Sequence, residues 1–286
     1  MTQRAEELVD EALAELTGFD LIVNQEAASA PPSRYLAEHR YEYVRTVRDI
    51  LRYRPVTDAP VNVLEIGAFF GAVCIALARA GYQVTAGDIP EYIDMPAQVE
   101  RYARHGIATR GIRLENFILP FADESVDVVV MCEVLEHLNF NPLPLLKEIN
   151  RVLVPDGIFY LSLPNYARMK NRLTLMRGKA VGIEVADFFD QLDPTSPVIA
   201  NAHWREYTMA EIRAMLEPLG FRVAEHYLYT LNETMSGGGV RGRLARLLYR
   251  LVPSLKENQT AIAIRERRTP LRFAIPSTVH PELREL

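Results

Sequence analysis

The chain of 286 residues carries a formal net charge of −5, with 49% hydrophobic and 24% charged residues. This balance is typical of one large folded domain with insertions, and the negative charge excludes a general electrostatic attraction to nucleic acid, so no nucleic-acid partner is expected. Both cysteines, Cys74 and Cys132, lie in apolar runs and predict buried thiols in a reducing compartment. Because the N-terminal stretch is acidic and amphipathic, and no apolar run reaches the ~20 residues that span a bilayer, a cytoplasmic protein is expected.

The first predicted elements are two helices, at 4–17 and 35–53, joined by a loop containing AASAPPS; together they form an N-terminal helical segment over 1–56. From Val61 onward, short apolar runs alternate with helical patterns. Strands are predicted at 61–66, 82–87, 111–115, 126–132, 157–163, 220–228 and 259–265. Helices are predicted between them at 71–80, 94–105, 141–153 and 208–218. Seven strands alternating with helices indicate an α/β fold with a doubly wound sheet over 57–266.

Two insertions interrupt the alternation of strands and helices. The first, 164–207, is long, of mixed charge and beside the expected ligand crevice, so it is predicted to form a lid. The second, 231–256, combines a glycine-rich hinge with a basic amphipathic helix. Two interpretations of this helix stay open: a surface helix docked on the sheet, or a peripheral contact of 240–252 with an anionic membrane or a lipid-linked substrate. The tail, 267–286, is predicted to extend along the surface.

The stretch VNVLEIGAFFGAVCIALARAG, residues 61–81, predicts a buried strand, a glycine turn and a helix. Gly67 and Gly71 bracket the turn, where a ligand would meet the unpaired N–H groups at the helix start. The next strand ends at Asp88, the position at which such folds hold a pair of ribose hydroxyls. The turn does not match the G-x-G-x-x-G dinucleotide pattern. A binding site for another nucleoside-containing ligand is therefore predicted, the alternative being a plain strand–helix turn without a ligand.

A second informative stretch is LPFADESVDVVVMCEVLEHL, residues 119–138, which predicts a central strand followed by Glu133, Glu136 and His137. Functional groups gather at the carboxyl ends of parallel strands, and the i, i+3, i+4 spacing lets these three side chains converge. With His203 in HWREYT, they offer two carboxylates and two imidazoles, which suit a divalent cation with open positions for substrate oxygens. Without a metal, Glu136 and His137 would cap the following helix, and His203 or His137 would be a general base.

The sequence around Glu65, Gly67 and Gly71 resembles motif I of the class I S-adenosylmethionine-dependent methyltransferases, acidic-x-G-x-x-x-G, with Phe69 where many members carry a further glycine. Residues 61–165 and 203–221 together resemble the small-molecule group that includes the ubiquinone-pathway O-methyltransferases. This resemblance implies a Rossmann-like, doubly wound sheet of seven strands with an antiparallel last strand. It also implies S-adenosylmethionine as the cofactor.

The same resemblance implies roles for individual residues. Glu65, Gly67 and Gly71 would hold the methionine end of the cofactor and Asp88 its ribose hydroxyls, while Ile89 would pack on the adenine. Cys132 and Glu133 would line the floor beside the sulfonium. Glu115 and Asn116 would contact the adenine edge, with a solvated turn as the alternative. The E-x-x-E-H motif with its distal histidine resembles the magnesium site of the ubiquinone-pathway O-methyltransferases and of the small-RNA 2′-O-methyltransferases, so Mg²⁺ would be held by Glu133, Glu136, His137 and His203.

The predicted function is methylation of a hydroxyl group on a small molecule, such as a sugar or glycan, a quinol precursor or a secondary metabolite. His203, His137 and Glu133 are the candidate catalytic residues, acting with a metal or as general bases. Two alternatives stay open. One is an N-methyltransferase acting on an amino sugar without a metal, and the other is a non-catalytic protein that binds the cofactor and regulates a partner. The sequence does not predict an oligomeric state.

Overall fold

The computed structural model describes residues 1–16, 32–183, 185, 203–230 and 240–272. Seven strands form one sheet: β1 (Asn62–Ile66), β2 (Gln83–Asp88), β3 (Ala108–Gly111), β4 (Val126–Cys132), β5 (Leu153–Pro164), β6 (Phe221–Tyr229) and β7 (Asn258–Arg265). Their order is β3-β2-β1-β4-β5-β7-β6. Strands β1 to β5 pair in parallel, whereas β7 runs antiparallel to both β5 and β6. This arrangement confirms the predicted Rossmann-like sheet with its antiparallel last strand.

The central strand β4 shows why the sheet is covered on both faces. Val128 and Val130 lie in one hydrophobic cluster, and Val129 and Met131 lie in the other. A parallel strand with apolar residues on both faces is stable only when helices shield each side from water. The crossover helices that provide this shielding also direct all carboxyl ends of β1, β2 and β4 toward one edge.

The helices lie on both faces of this sheet. They are α1 (Thr2–Leu16), α2 (Pro32–Tyr53), α3 (Ala72–Arg79), α4 (Pro90–Ile93), α5 (Pro96–Ala103), α6 (Leu143–Val152), α7 (Met169–Met176), α8 (Met209–Leu216) and α9 (Val240–Leu251). Residues of α1, α2 and α3 share one core cluster with the sheet, and residues of α6 and α8 share the other. The N-terminal helices thus pack on the sheet itself, while the predicted division into three segments stays a prediction.

Several elements differ from their predicted limits. The strand predicted at 111–115 is wrong: β3 ends at Gly111, and Leu114–Asn116 form a 3₁₀ turn. As a four-residue edge strand with no buried residue, β3 lacks the apolar run that marks the central strands. The helix predicted at 94–105 corresponds to α5, and a short helix that was not predicted, α4, precedes it; each has a proline in its first turn, where proline is best tolerated. Within the first insertion, 169–176 form α7.

Several predictions fall on residues outside the described part of the chain. These are the loop within 17–31, most of the predicted lid (184 and 186–202), the glycine-rich hinge within 231–239 and most of the tail (273–286). Among the described residues, no helix combines the length and the apolar character needed to cross a bilayer.

Candidate active site at the carboxyl ends of the central strands

The turn between β1 and α3 depends on two glycines. Gly67 has φ of +76° and Gly71 has φ of +82°, in the left-handed region that side chains disfavour. A Cβ atom on Gly67 would lie 2.3 Å from Cγ2 of Val134, and one on Gly71 would lie 2.6 Å from Cε1 of Tyr102. Both positions therefore require glycine, for the backbone conformation and for the packing of the turn. The turn places the start of α3 at the edge of the sheet.

Asp88, at the end of β2, holds this turn in place. Its Oδ2 accepts a hydrogen bond of 2.9 Å from the Phe69 N–H, and its Oδ1 accepts one of 2.8 Å from the Ile89 N–H. Burial raises the pKa of Asp88, and these two N–H groups oppose that shift. Since each carboxylate oxygen can accept more than one hydrogen bond, Asp88 is able to organise the turn and still bind a ligand hydroxyl.

Glu65 is the acidic residue at the end of β1. Its side chain is buried and its Oε2 accepts a hydrogen bond of 2.8 Å from the Cys74 thiol. Burial is the main cause that raises the pKa of Glu65 to about 7 and that of Cys74 well above its ordinary value. Cys74 is thus the buried thiol that its apolar surroundings predict, and the Glu65 carboxyl group exchanges its proton near neutral pH.

An aromatic wall borders the glycine turn, and sequence reasoning missed it. Phe69 has φ of +43°. Its ring centroid lies 3.9 Å from that of Phe70, 5.5 Å from that of Tyr92 and 5.7 Å from that of Tyr35 on α2. Phe69, which stands where many members of the similar family carry a glycine, therefore connects the turn to α2.

The predicted adenine contacts, Glu115 and Asn116, lie in the 3₁₀ turn after β3. Glu115 is exposed, with Oε1 3.8 Å from Nη1 of Arg113, and Asn116 is half-buried. Ile89 is half-buried, directly follows β2 and is the N-cap residue before α4. The cofactor-binding roles of all three stay predictions.

Three of the four predicted metal ligands come together beyond the end of β4. One ligand atom each from Glu136, His137 and His203 lies within 4.8 Å of the others, and the two imidazole centroids are 4.8 Å apart. The segment Leu135–His137 is a 3₁₀ turn rather than the α-helical turn in which side chains at i, i+3 and i+4 would converge. Glu133 is not a member of this group of three; it has φ of +53°, and its N–H donates to the Ser162 carbonyl at 2.9 Å.

The electrostatics of this cluster favour a bound cation. Glu136 is fully buried, and among the described residues neither of its carboxylate oxygens has a hydrogen-bond partner. Burial is the main cause that raises the pKa of Glu136 to about 7. Burial and the neighbouring Glu136 raise the pKa of Glu133 well above its ordinary range. Oε1 of Glu136 lies 4.0 Å from Nε2 of His137, too far for a hydrogen bond. A buried carboxylate without hydrogen bonds is unfavourable, so a divalent cation fits this donor set.

Helix α2 covers the same edge of the sheet and contributes polar groups that the sequence analysis missed. His39 Nδ1 lies 2.6 Å from Oε2 of Glu42, and Oε1 of Glu42 accepts 3.0 Å hydrogen bonds from the Tyr229 hydroxyl and the Asn258 amide. The hydroxyl of Thr46 lies 3.9 Å from the half-buried Cys132 thiol. His39, Glu42 and Thr46 are spaced for one helix face, and that periodicity is the signal that could have found them.

Comparisons with known proteins agree with this geometry. A family profile described as "Methyltransferase domain" matches residues 64–161. A "probable S-adenosylmethionine-dependent methyltransferase" of Mycolicibacterium smegmatis is 36% identical over 107 residues, which cover 37% of this chain and 33% of that protein. The chain thus matches only a third of the length of this curated relative.

Two solved structures share the fold at low identity. A chain from the complex between the Haloferax volcanii Trm112 methyltransferase activator and a methyltransferase aligns with a TM-score of 0.54 and 18% identity, over 86% of this chain and 100% of that one. A SAM-dependent methyltransferase from Archaeoglobus fulgidus aligns with a TM-score of 0.51 and 18% identity, over 81% and 99%. The two structures show that the fold is shared. The profile over 64–161, the sheet order and the glycine turn are similar to those of the class I S-adenosylmethionine-dependent methyltransferases.

Proposed function

We propose that the protein transfers the methyl group of S-adenosylmethionine to a hydroxyl oxygen of a small molecule, with assistance from a divalent cation such as Mg²⁺. The observation that carries this proposal is the group Glu136, His137 and His203, with its unpartnered buried carboxylate, at the sheet edge that also carries the glycine turn. A neutral hydroxyl is a poor nucleophile, and this group supplies what an acceptor of that kind needs.

The chain's own residues have distinct tasks in this reaction. Asp88 binds the ribose hydroxyls, and the turn between Gly67 and Gly71 holds the methionine end. When bound, S-adenosylmethionine supplies an electrophilic methyl group and the cation supplies positive charge that acidifies a nearby hydroxyl. Glu136 would hold that cation together with His137 or His203, and the histidine that does not bind it would accept the acceptor's proton on its unprotonated ring nitrogen.

The N-methylation and non-catalytic alternatives differ from this proposal in measurable ways. We would incubate the protein with methyl-labelled S-adenosylmethionine and a panel that contains 3,4-dihydroxybenzoate, methyl glucoside and glucosamine, with Mg²⁺ or with excess EDTA. Hydroxyl methylation that EDTA abolishes supports the proposal. Methylation of the glucosamine nitrogen that persists in EDTA supports the amino-sugar alternative. Tight binding of S-adenosylhomocysteine without any turnover across a wide panel supports a regulatory protein.

We also propose that 240–252 makes a peripheral contact with an anionic membrane. On α9 and just after it, Leu247, Leu251 and Val252 are exposed, the second of them by 70% of its surface, and Arg243 and Arg250 are exposed on the same helix. Apolar and basic side chains on one exposed helix suit an interface with anionic headgroups. Flotation with phosphatidylserine vesicles should be lost in Leu247→Glu/Leu251→Glu, whereas binding that is equal for both proteins, or absent from the wild type, would refute the contact.

A further inference from the structure

The carboxylate of Glu206 lies at the centre of a hydrogen-bond network beside His203. Its Oε1 accepts from Nη2 of Arg168 at 2.5 Å and lies 3.0 Å from Nδ1 of His203, and its Oε2 accepts from Nδ2 of Asn171 at 2.8 Å. The Glu206 side chain is only 3% exposed. Arg168 and Asn171 present only N–H groups to it, so both carboxylate oxygens act as acceptors, and the Arg168 guanidinium forms an ion pair with the buried carboxylate.

The network joins two segments that are distant in sequence. Arg168 and Asn171 lie at the start of α7 in the first insertion, whereas His203 and Glu206 precede α8. Further hydrogen bonds fix the first segment: Asn171 donates to the Tyr166 carbonyl at 2.9 Å, and Arg168 Nε donates to Asn171 Oδ1 at 3.1 Å. The Tyr166 N–H in turn donates to the Tyr207 carbonyl at 3.0 Å. The described start of the insertion is thus attached to the segment that carries His203.

The contact with Glu206 determines which ring nitrogen of His203 carries the proton. An ionised carboxylate accepts hydrogen bonds and cannot donate them, so Nδ1 of His203 must be the donor. A neutral imidazole has only one N–H, which leaves the lone pair on Nε2. Nε2 is then the nitrogen with which His203 can bind a cation or accept a proton. Hydrogen bonding of the distal nitrogen is also the usual way in which proteins orient a histidine ligand.

We infer that Glu206 is a positioning residue that fixes His203 as the Nδ1–H tautomer, and that Arg168 and Asn171 of the first insertion hold Glu206 in place. The role of Nε2 in binding a cation or accepting a proton rests on the proposed function, whereas the assignment of the tautomer does not. The tautomer and orientation of His203 therefore depend on the folded start of the insertion.

The tautomer can be measured in the full chain without an acceptor. In histidine labelled with ¹⁵N, long-range proton–nitrogen spectra distinguish Nδ1–H from Nε2–H, and His203→Ala assigns the signal. We expect the wild type to show Nδ1–H at His203. Glu206→Gln keeps the side-chain volume but presents both a donor and an acceptor, so it should give a mixture of tautomers. The matched control is Glu211→Gln, because Glu211 lines the same cavity of about 440 Å³ as Glu206 but bonds to Thr208 and Arg205 instead of His203.

A second readout uses Mn²⁺ alone, with affinity measured by electron paramagnetic resonance. Glu206→Gln should weaken Mn²⁺ binding about 10- to 100-fold, as expected for a second-sphere partner, and Glu211→Gln should leave it unchanged. Circular dichroism and S-adenosylhomocysteine binding report whether each variant is folded. If Glu206→Gln is unfolded, Arg168→Gln and Asn171→Ala give the test, since both leave the carboxylate but remove a partner and should also mix the tautomers.

The possible outcomes separate this inference from the proposed function. A folded Glu206→Gln variant with an unchanged His203 tautomer overturns the inference. If Arg168→Gln and Asn171→Ala both leave the His203 tautomer unchanged, the supporting role of the insertion is overturned. A wild type that binds no Mn²⁺ but shows the Glu206-dependent tautomer removes the metal from the proposed function and supports the positioning role of Glu206.

Discussion

Replacing Gly71 by alanine tests whether the glycine turn is fixed by packing as well as by backbone conformation. The new Cβ would lie 2.6 Å from Cε1 and 2.8 Å from the hydroxyl oxygen of Tyr102. That ring is fully buried and donates a 3.1 Å hydrogen bond to the Phe69 carbonyl, so it has little room to move. Left-handed strain and overpacking together should lower the free energy of unfolding by about 2 to 5 kcal/mol.

The matched control is Gly106→Ala. Gly106 has φ of +67°, also left-handed, but no atom lies within 4 Å of its added Cβ. This variant should lose only the strain contribution, about 1 to 2 kcal/mol. Urea denaturation followed by circular dichroism measures both losses, and calorimetry with S-adenosylhomocysteine measures binding. We expect binding to be weakened about tenfold or more in Gly71→Ala, since 1.4 kcal/mol corresponds to a factor of ten, and unchanged in Gly106→Ala. Equal losses of stability in the two variants would show that Tyr102 adapts and that the packing argument is wrong.

Three further predictions concern the carboxylates and the histidine of the site. Asp88→Asn should weaken S-adenosylhomocysteine binding at least about tenfold in calorimetry, because the amide cannot accept hydrogen bonds at both of its terminal atoms; unchanged affinity would contradict this. Glu65 keeps its proton in the folded state up to about pH 7 against an ordinary value of 4.5, so its contribution to the free energy of unfolding should fall by about 3 kcal/mol as the pH rises between those values. Glu65→Gln should therefore gain stability relative to the wild type between pH 5 and 7.5 in urea titrations, and a constant difference would count against the raised pKa. His203→Ala should reduce turnover far more than it weakens S-adenosylhomocysteine binding, and full wild-type turnover in excess EDTA would remove the cation from the mechanism.

The fold could be predicted from the sequence because its signals are local. The apolar run before Gly67 and the run that ends at Cys132 each specify a buried strand, since neither has a polar face to expose to water. The spacing of Glu65, Gly67 and Gly71 specifies the turn between β1 and α3, where the backbone conformation itself requires glycine. Asp88 follows from its position at the end of the next strand. The position of edge strand β3 could not be predicted correctly, because its side chains are exposed or half-buried and form no apolar run.

What the sequence could not determine is which polar groups meet across the edge of the sheet. Glu206 stands next to Arg205 and Tyr207 in the chain, yet its partners Arg168 and Asn171 come from the other end of an insertion. Glu42 accepts hydrogen bonds from Tyr229 on β6 and Asn258 on β7, which are 187 and 216 residues away in the chain. Periodicity indicates which face of an element is buried. The pKa and the hydrogen bonding of a buried carboxylate depend on the charges and donors that pack against it. Those neighbours are set by the order of the strands and the crossing of the helices, so the tertiary structure alone decided how the carboxylates and histidines of this site are paired.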